Sequence, residues 1–558
     1  MLDTDFQDGA HFLNTWLAWQ CDPLRPQMLH YVGIAPIAPA LPAVASKQTN
    51  EKRAQEWRSL VAQCKDVGSG FHRLILDSGR VSLTLCIGDL QTLLREHVFQ
   101  ADTMFASTPK DKWVAQLLAR RCKRGTRFCM PTATPATAEP AARAQLSTLM
   151  QAAGFQLDAY ESGHPIFAGS FNPRWDIPAS RTANRHFVLH PARCAVVGAG
   201  IAGASVAHAL ALRGWDVTVF DTVSTPAGGA SGLPVGLAVP HVSADDNPRA
   251  RLSRNGCRLL AQNADRLLVQ GQDWDPSGVL EHRSDGSTLL HPQACWIKPA
   301  KLVQAWLTPA GIRFVGNTTV AALQHVADLW QLQDAEGQEL GQFEVVVLAN
   351  AIGSQALLKN LHDYDHDHDH MHAPQSPDLQ DKLAALQAVH GTLSYGGYVQ
   401  TIPGLPATPV NGNGCFIPHV PGKDGDQWFA GSTFETDAVR AADGVTQQLA
   451  NMARLRELLP IHGMDLTNTL EQGPIAHWSG TRCVTHDRFP LVGPVDIGSG
   501  TGLWLCLGMG SRGLSFSALC AELLAARLSG EPLPMEFSLS RSLDANRARR
   551  RSYAKAPH

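Results

Sequence analysis

At 558 residues the chain is too long for one hydrophobic core and calls for two or three domains. It carries 47 lysines and arginines against 50 aspartates and glutamates, a formal charge of −3, so any nucleic-acid contact has to come from a local basic patch. No apolar run reaches the roughly 20 residues of a membrane helix, and the acidic start Met1-Leu2-Asp3-Thr4-Asp5-Phe6 is unlike a secretory signal. The 12 cysteines form no C-x-x-C pair, and Cys86, Cys194 and Cys506 sit inside apolar strands, as reduced thiols of a cytoplasmic protein do.

Residues 1–172 read as a first α/β region. His11 to Trp19 has helical periodicity, Leu29 to Val32 is a strand, and Phe71 to Ile87 is a hairpin turning at Asp77-Ser78-Gly79. Helices are expected over Asp111–Arg120 and Ala141–Ala153. Arg120, Arg121, Lys123, Arg124 and Arg127 form a local basic cluster, either a solvated helix end or an RNA contact. Residues 173–191, rich in proline and arginine and without periodicity, read as a linker.

The next region, 192–535, opens on a buried parallel strand, Cys194 to Val197, followed at once by a G-x-G-x-x-G turn and a helix. Gly198 permits the tight turn, Gly200 lets a pyrophosphate approach the backbone, and Gly203 lets the helix lie close on the strand. A second strand, Val217 to Phe220, ends in Asp221, where a ribose-binding carboxylate belongs. Gly228 to Gly236, with Ala230, Ser231 and Gly232, is a second loop of small residues suited to a flat ring or a phosphate. An arginine-bearing helix (Ala250–Val269) and a returning strand at Phe343–Ala351 follow. Residues 362–372 alternate His and Asp and read as a flexible surface insertion rather than a built metal site. Strands return at Gly391–Gln400, Gly414–Val420 and Trp428–Thr433, with a helix at Val445–Leu459. Arg482 lies on a strand before a proline-bounded turn, placed either to clamp a carboxylate or to form a surface ion pair. The strand Gly502–Leu507 leads into Gly508-Met509-Gly510-Ser511-Arg512-Gly513-Leu514 and a helix, a second glycine-rich helix start. Residues 536–558 form a basic tail.

From Ala195 to Asn546 the chain resembles the FAD-dependent oxidoreductase half of the bacterial bifunctional enzymes of 5-methylaminomethyl-2-thiouridine synthesis (the MnmC family). The resemblance is carried by Gly229-Ala230-Ser231-Gly232, by Gly510-Ser511-Arg512-Gly513-Leu514, and by Leu519 to Leu524 with Gly530-Glu531-Pro532-Leu533-Pro534. A wider likeness to the glycine and D-amino-acid oxidases rests on Gly480, Arg482, Thr485, Asp487, Pro490 and Gly493. The resemblance implies a Rossmann-type FAD domain with an inserted mixed-sheet substrate domain, preceded by a truncated α/β methyltransferase-like domain. It implies FAD as cofactor, tRNA as partner, and neither membrane nor DNA. Arg482 then holds the substrate carboxylate, and Arg512 stabilises the reduced ring or adds a carboxylate contact. The FAD cradle falls on Gly198, Gly200, Gly203, Asp221, Ala230, Ser231, Gly232, Gly508, Gly510, Ser511, Gly513 and Leu514.

In the first region Phe12-Leu13-Asn14-Thr15-Trp16, Phe71-His72-Arg73-Leu74 and Gly79 to Leu85 resemble the family's S-adenosylmethionine-dependent domain. The glycine-rich donor loop is reduced to Asp8-Gly9-Ala10-His11, with no strand expected before it. The family's acidic Leu-Asp-Gly-Phe-x-Pro motif is shortened to Met104 to Pro109 without its acid. These departures imply that S-adenosylmethionine binding and the methylation step are lost. The family reaction is removal of the carboxymethyl group from 5-carboxymethylaminomethyl-(2-thio)uridine 34 to give the 5-aminomethyl form. The competing readings are a small-molecule amine or amino-acid oxidase of the glycine-oxidase type, and a non-catalytic scaffold.

Overall fold

The computed structural model describes residues 1–41, 51–64, 67–131, 140–158, 166–177, 188, 190–367, 386–397, 406–436, 444–495 and 501–547. The chain divides into two compact units, Met1–Leu189 with Ala526–Arg541, and His190–Ala525 with Ser542–His558. Among the described residues no helix is long and apolar enough to cross a membrane.

The first unit is built on an eight-stranded sheet. In spatial order its strands are Gly70–Leu76, Val81–Ile87, Leu29–Ala35, Leu2–Asp3, Ala101–Phe105, Cys122–Pro131, Ile166–Phe171 and Phe155–Leu157. The hairpin expected at Phe71–Ile87 is present as an antiparallel pair. The expectation that no strand precedes the donor loop is corrected. Leu2 and Asp3 pair in parallel with Val32 and Gly33 on one side and with Met104 and Phe105 on the other, at the centre of the sheet. Two residues suffice because both neighbours supply hydrogen bonds and both side chains are buried. Each face carries its own apolar cluster, Phe12, Trp16, Tyr31 and Leu83 on one side and Leu94, Met104, Leu118 and Phe128 on the other.

The second unit has a six-stranded sheet in the order Ile312–Val315, Asp216–Phe220, Arg193–Val197, Val345–Leu348, Leu503–Leu507, Leu491–Pro494. All pairs are parallel except the last. Four of the five residues of Arg193–Val197 and all of Val345–Leu348 are buried, as expected of strands covered on both faces. Between these strands the chain inserts a seven-stranded mixed sheet, which ends at the edge strand Ala476–Thr485. This is the Rossmann-type domain with an inserted mixed-sheet domain.

Two helices run side by side over the six-stranded sheet, Ile201–Ala211 and Gly513–Ser529. Their contacts recur along matching positions. A Cβ on Gly513 would sit 3.2 Å from Ile201 Cγ2, and Ser205 Oγ donates to Ser517 O at 3.3 Å. Just past the first helix, Arg213 makes a bidentate pair with Glu522 at 3.0 Å for both bonds, with side chains only 3% and 7% exposed. Both helices therefore run in the same direction and start at the same end of the sheet. The helix Pro248–Leu267 crosses the second of them where Gly256 admits the Ser515 carbonyl; a Cβ there would lie 1.8 Å from that oxygen.

A buried charge that loses its partner is strongly destabilising, whereas an apolar pair of similar volume is tolerated. Glu522→Ala should cost about 3–5 kcal/mol, read as an earlier unfolding midpoint. The double variant Arg213→Met/Glu522→Leu should recover most of it, and an Ala variant with an unchanged midpoint would show that the pair does not hold these helices.

Candidate active site

Three loops meet at the starts of the two helices. Gly198 has φ 105°, and a Cβ there would lie 2.8 Å from the Ala349 carbonyl, in the loop after the neighbouring strand. A Cβ on Gly203 would lie 1.8 Å from the Gly198 carbonyl, so only glycine lets the helix start this close to the turn. Gly200 differs: only the Ser231 hydroxyl, at 3.2 Å, approaches its open side. The backbone there is accessible to a ligand, at the positive end of a helix. Ser231, on the Ala230–Gly232 turn, accepts a hydrogen bond from Ile201 N–H at 2.8 Å and so ties the second loop to the first. Gly508 and Gly510 both adopt left-handed backbone (φ 74° and 58°), which presents the start of Gly513–Ser529. Ser511 on this loop is exposed, and Leu514 is buried against Gly236.

Asp221 sits at the end of the second strand as expected, with its carboxylate already engaged. It accepts from Ala199 N–H at 2.6 Å and from Val223 N–H at 3.2 Å. It thus braces the first loop from below while lone pairs remain for a further donor.

Arg482 lies on the edge strand Ala476–Thr485. Its guanidinium donates to Ser432 Oγ at 2.6 Å and to the Thr433 carbonyl at 3.3 Å, and lies 4.7 Å from the centroid of Phe434. Among the described residues it has no carboxylate partner. Burial pulls its pKa below the usual arginine value, with the Cys415 thiol acting the other way. A shielded cation bound only by neutral groups is a seat for an anion. Gly391 creates the room for it: a Cβ there would lie 2.2 Å from Arg482 Nη1 and 2.7 Å from Cζ. Two residues on, Val484 contacts Gly510, so strand alternation puts the Arg482 seat on the face that meets the third glycine loop.

The rest of the Arg482 signature shapes the turn that follows. Thr485 Oγ1 donates to the Phe489 carbonyl at 2.7 Å, Phe489 N–H donates to Asp487 at 3.1 Å, and Arg488 is left-handed at φ 61°. Burial opposes the Asp487 charge, but hydrogen bonds and charge from Arg547, at 2.7 and 2.9 Å, hold its carboxyl below the usual range. Arg547 belongs to the segment read from sequence as a basic tail; the chain there is pinned to the turn as far as 547, and 548–558 lie outside the described residues. Ser432, Phe434 and Gly391 were missed from sequence because none is near Arg482 in the chain; the glycine at 391, inside a strand pattern, was the one available signal.

The basic cluster of the first unit is largely consumed by structure. Arg121 donates to the His97 carbonyl, Lys123 pairs with Asp102, Arg127 pairs with Asp158 at 2.7 Å, and Arg124 donates to Asn172, Pro173 and Trp175. The helix there is Lys112–Ala119. The backbone of 362–367 continues the helix Ser354–Asp367; 368–372, like most of the linker reading (178–187), lies outside the described residues.

The donor turn of the first unit, Thr4 to Gly9, contrasts with that of the second. Its single glycine, Gly9, is turned inward, with a Cβ there 3.0 Å from Leu41 and 3.3 Å from Trp57. The second strand ends at Ala35-Pro36, with no carboxylate where Asp221 stands in the other unit. Where the central strands end, Thr4 and Ser107 are hydrogen bonded and the His11 ring stacks on Phe105 at 4.8 Å.

Comparison with known proteins places these features among relatives. The model of the FAD dependent oxidoreductase family matches residues 193–288 and 262–527. The chain is 42% identical over 580 residues to the tRNA 5-methylaminomethyl-2-thiouridine biosynthesis bifunctional protein MnmC of Albidiferax ferrireducens, covering 98% of this chain and 92% of that one. It is 40% identical to the protein of the same name from Polaromonas naphthalenivorans, covering 96% and 88%. Among solved structures, glycine oxidase from Geobacillus kaustophilus aligns with a TM-score of 0.49 and 17% identity, over 64% of this chain and 98% of that chain.

Gly391→Ala should displace the Arg482 guanidinium without touching the glycine loops. With FAD bound, the affinity for a carboxylate probe such as glycolate, followed through the flavin spectrum, should fall about tenfold or more, equivalent to 1.4 kcal/mol or more. Unchanged affinity would show that Arg482 does not depend on this vacancy.

Proposed function

We propose that this chain, which belongs to the family of bacterial tRNA 5-methylaminomethyl-2-thiouridine biosynthesis bifunctional proteins, performs the oxidative step of wobble-uridine modification and not the methylation that follows. The substrate is the 5-carboxymethylaminomethyl-(2-thio)uridine 34 of a tRNA, in effect a glycine whose nitrogen carries the uridine methylene. The cytoplasm is the compartment, consistent with twelve free cysteines.

The observation that carries this reading is the Arg482 guanidinium, seated on neutral oxygens and an aromatic face beside a glycine-rich helix start. The fit to FAD rests on the open flank of Gly200, the Ser231 brace and the two helix starts. When bound, FAD supplies the two-electron acceptor for the C–H bond of the glycine carbon. Arg482 takes the carboxylate bidentately and fixes where that carbon stands; Ser432 and the Thr433 carbonyl fix Arg482 in turn. Loss of a hydride from the carbon of the neutral amine leaves an iminium, which sheds its proton to the imine. Water adds across the C=N bond and the C–N bond breaks, giving the 5-aminomethyl nucleoside and glyoxylate. Orientation and electrostatics supply the catalysis, and no histidine is required. Arg512, at the start of Gly513–Ser529, adds positive charge beside the site.

The first unit keeps the strand order of a nucleotide-type sheet but not its donor site. A methyl donor needs close approach to the turn backbone and polar partners at the strand ends. Gly9 faces the unit's own core, and Ala35 offers no carboxylate. Methylation, where it follows, falls to another enzyme.

Arg482→Ala should lower kcat/KM for the modified tRNA by about 10²–10³-fold, as expected for two lost charge-assisted hydrogen bonds. Arg482→Lys should recover only part, because an ammonium cannot present two parallel donors. The rate of flavin bleaching under anaerobic conditions reads this directly, and full turnover by the Ala variant would refute the assigned role.

A further inference from the structure

Beside the Arg482 seat lies a second group of cations, in which Arg249, a residue the oxidation does not use, joins Arg512. Arg249 lies at the start of the helix Pro248–Leu267, which crosses Gly513–Ser529 at Gly256 and Ser515, and its charge acts on Arg512. Arg249 Nε is shielded from solvent and has no hydrogen-bond acceptor among the described residues; its guanidinium rests 5.7 Å from the Phe489 ring. Arg512 likewise has no acceptor among the described residues, and its charge is disfavoured by burial and then by Arg249. His241 lies in the same field: burial, then Arg512 and Arg249, push its pKa down. A third guanidinium, Arg283, approaches Glu281 at 3.6 Å, and Glu281 is also held by His291 at 2.9 Å. The neighbouring Asp246 is taken by Arg254 at 2.7 Å.

Arg283 and Arg512 thus share the field of one carboxylate, Glu281, which His291 also engages. Neither Arg249 nor Arg512 makes a direct ion pair among the described residues, so keeping the two cations together is costly. One carboxylate on the substrate is accounted for by Arg482, so the group calls for a second anion. We infer that Arg249 and Arg512 form a seat for a backbone phosphate of the substrate RNA, next to the target nucleotide. Guanidinium pairs match phosphate oxygens bidentately. Phe489 beside them offers a flat ring of the kind on which bases of single-stranded RNA loops stack. The seat lets the enzyme recognise a nucleotide within a chain: Arg482 reads the modified side chain and Arg249 reads the phosphodiester.

This inference rests on the proposed tRNA substrate, and the test separates the two. The FAD-loaded enzyme is titrated with fluorescent tRNA carrying the 5-carboxymethylaminomethyl uridine, at several salt concentrations. Arg249→Met should weaken binding about 5–20-fold and reduce the slope of log K against log salt by about 0.7–1, the contribution of one phosphate contact. Arg249→Lys should keep the slope. Glu281→Gln, which removes the carboxylate charge acting on Arg512, should tighten binding, an outcome that misfolding cannot mimic. An unchanged slope in Arg249→Met, or a shift of the flavin potential in its place, would overturn the phosphate seat alone. Absence of tRNA binding by the unaltered enzyme would overturn the proposed function and this inference with it.

Discussion

The second unit depends on the parallel seating of two helices, Ile201–Ala211 and Gly513–Ser529. The buried pair Arg213–Glu522 ties the end of the first to the middle of the second, and the Ile201–Gly513 contact sets their starts. Glycine at 203 lowers the first helix onto its strand, and glycine at 256 lets a third helix cross close above the second. Because both helices begin at the same end, the glycine loops before them open toward one place, and the Ser231 brace brings the middle loop to the same spot. The N–H groups of two helix starts then face one ligand site. The edge strand of the inserted sheet meets the third loop through Val484, which lies beside Gly510.

Around that site the protein keeps cations without counter-ions. Arg482 is satisfied by a hydroxyl, a carbonyl and a ring, and Arg249 and Arg512 have no acceptor among the described residues. Three other arginines of the unit are neutralised closely, Arg213 by Glu522, Arg254 by Asp246 and Arg547 by Asp487, whereas Arg266 and Arg313 bond to neutral groups. Desolvating an unpaired guanidinium destabilises the free protein, and an arriving anion relieves that cost, so stability given up in the free state reappears as affinity.

Local features were legible in the sequence. The turn at Gly198–Gly203, the strand before it and the helix after it are set by neighbouring residues, and the structure shows them where the spacing puts them. The Arg482 strand and the hairpin at Phe71–Ile87 were equally clear. Long-range partners were not. Ser432, Phe434 and Gly391 approach Arg482 only through pairing of distant strands, and Arg547 reaches Asp487 from a stretch that reads as a charged tail. The basic run at Arg120–Arg127 left two readings open because charge density says nothing of whether carboxylates and carbonyls wait nearby. The Leu2–Asp3 strand escaped because two residues carry no periodicity; its neighbours in the sheet make it a strand.

The two units share a strand–turn–helix opening and differ in what their glycines do. Gly200 exposes backbone to a ligand, whereas Gly9 packs against Leu41 and Trp57; one second strand ends in Asp221 and the other in Ala35. That difference is the basis for assigning oxidation without methylation. The direct measurement is nucleoside mass spectrometry of 5-carboxymethylaminomethyl-modified tRNA after incubation with the FAD-loaded enzyme and S-adenosylmethionine. Accumulation of the 5-aminomethyl nucleoside, with one glyoxylate released per nucleoside converted, is the predicted result; unconverted substrate or a 5-methylaminomethyl product would contradict it.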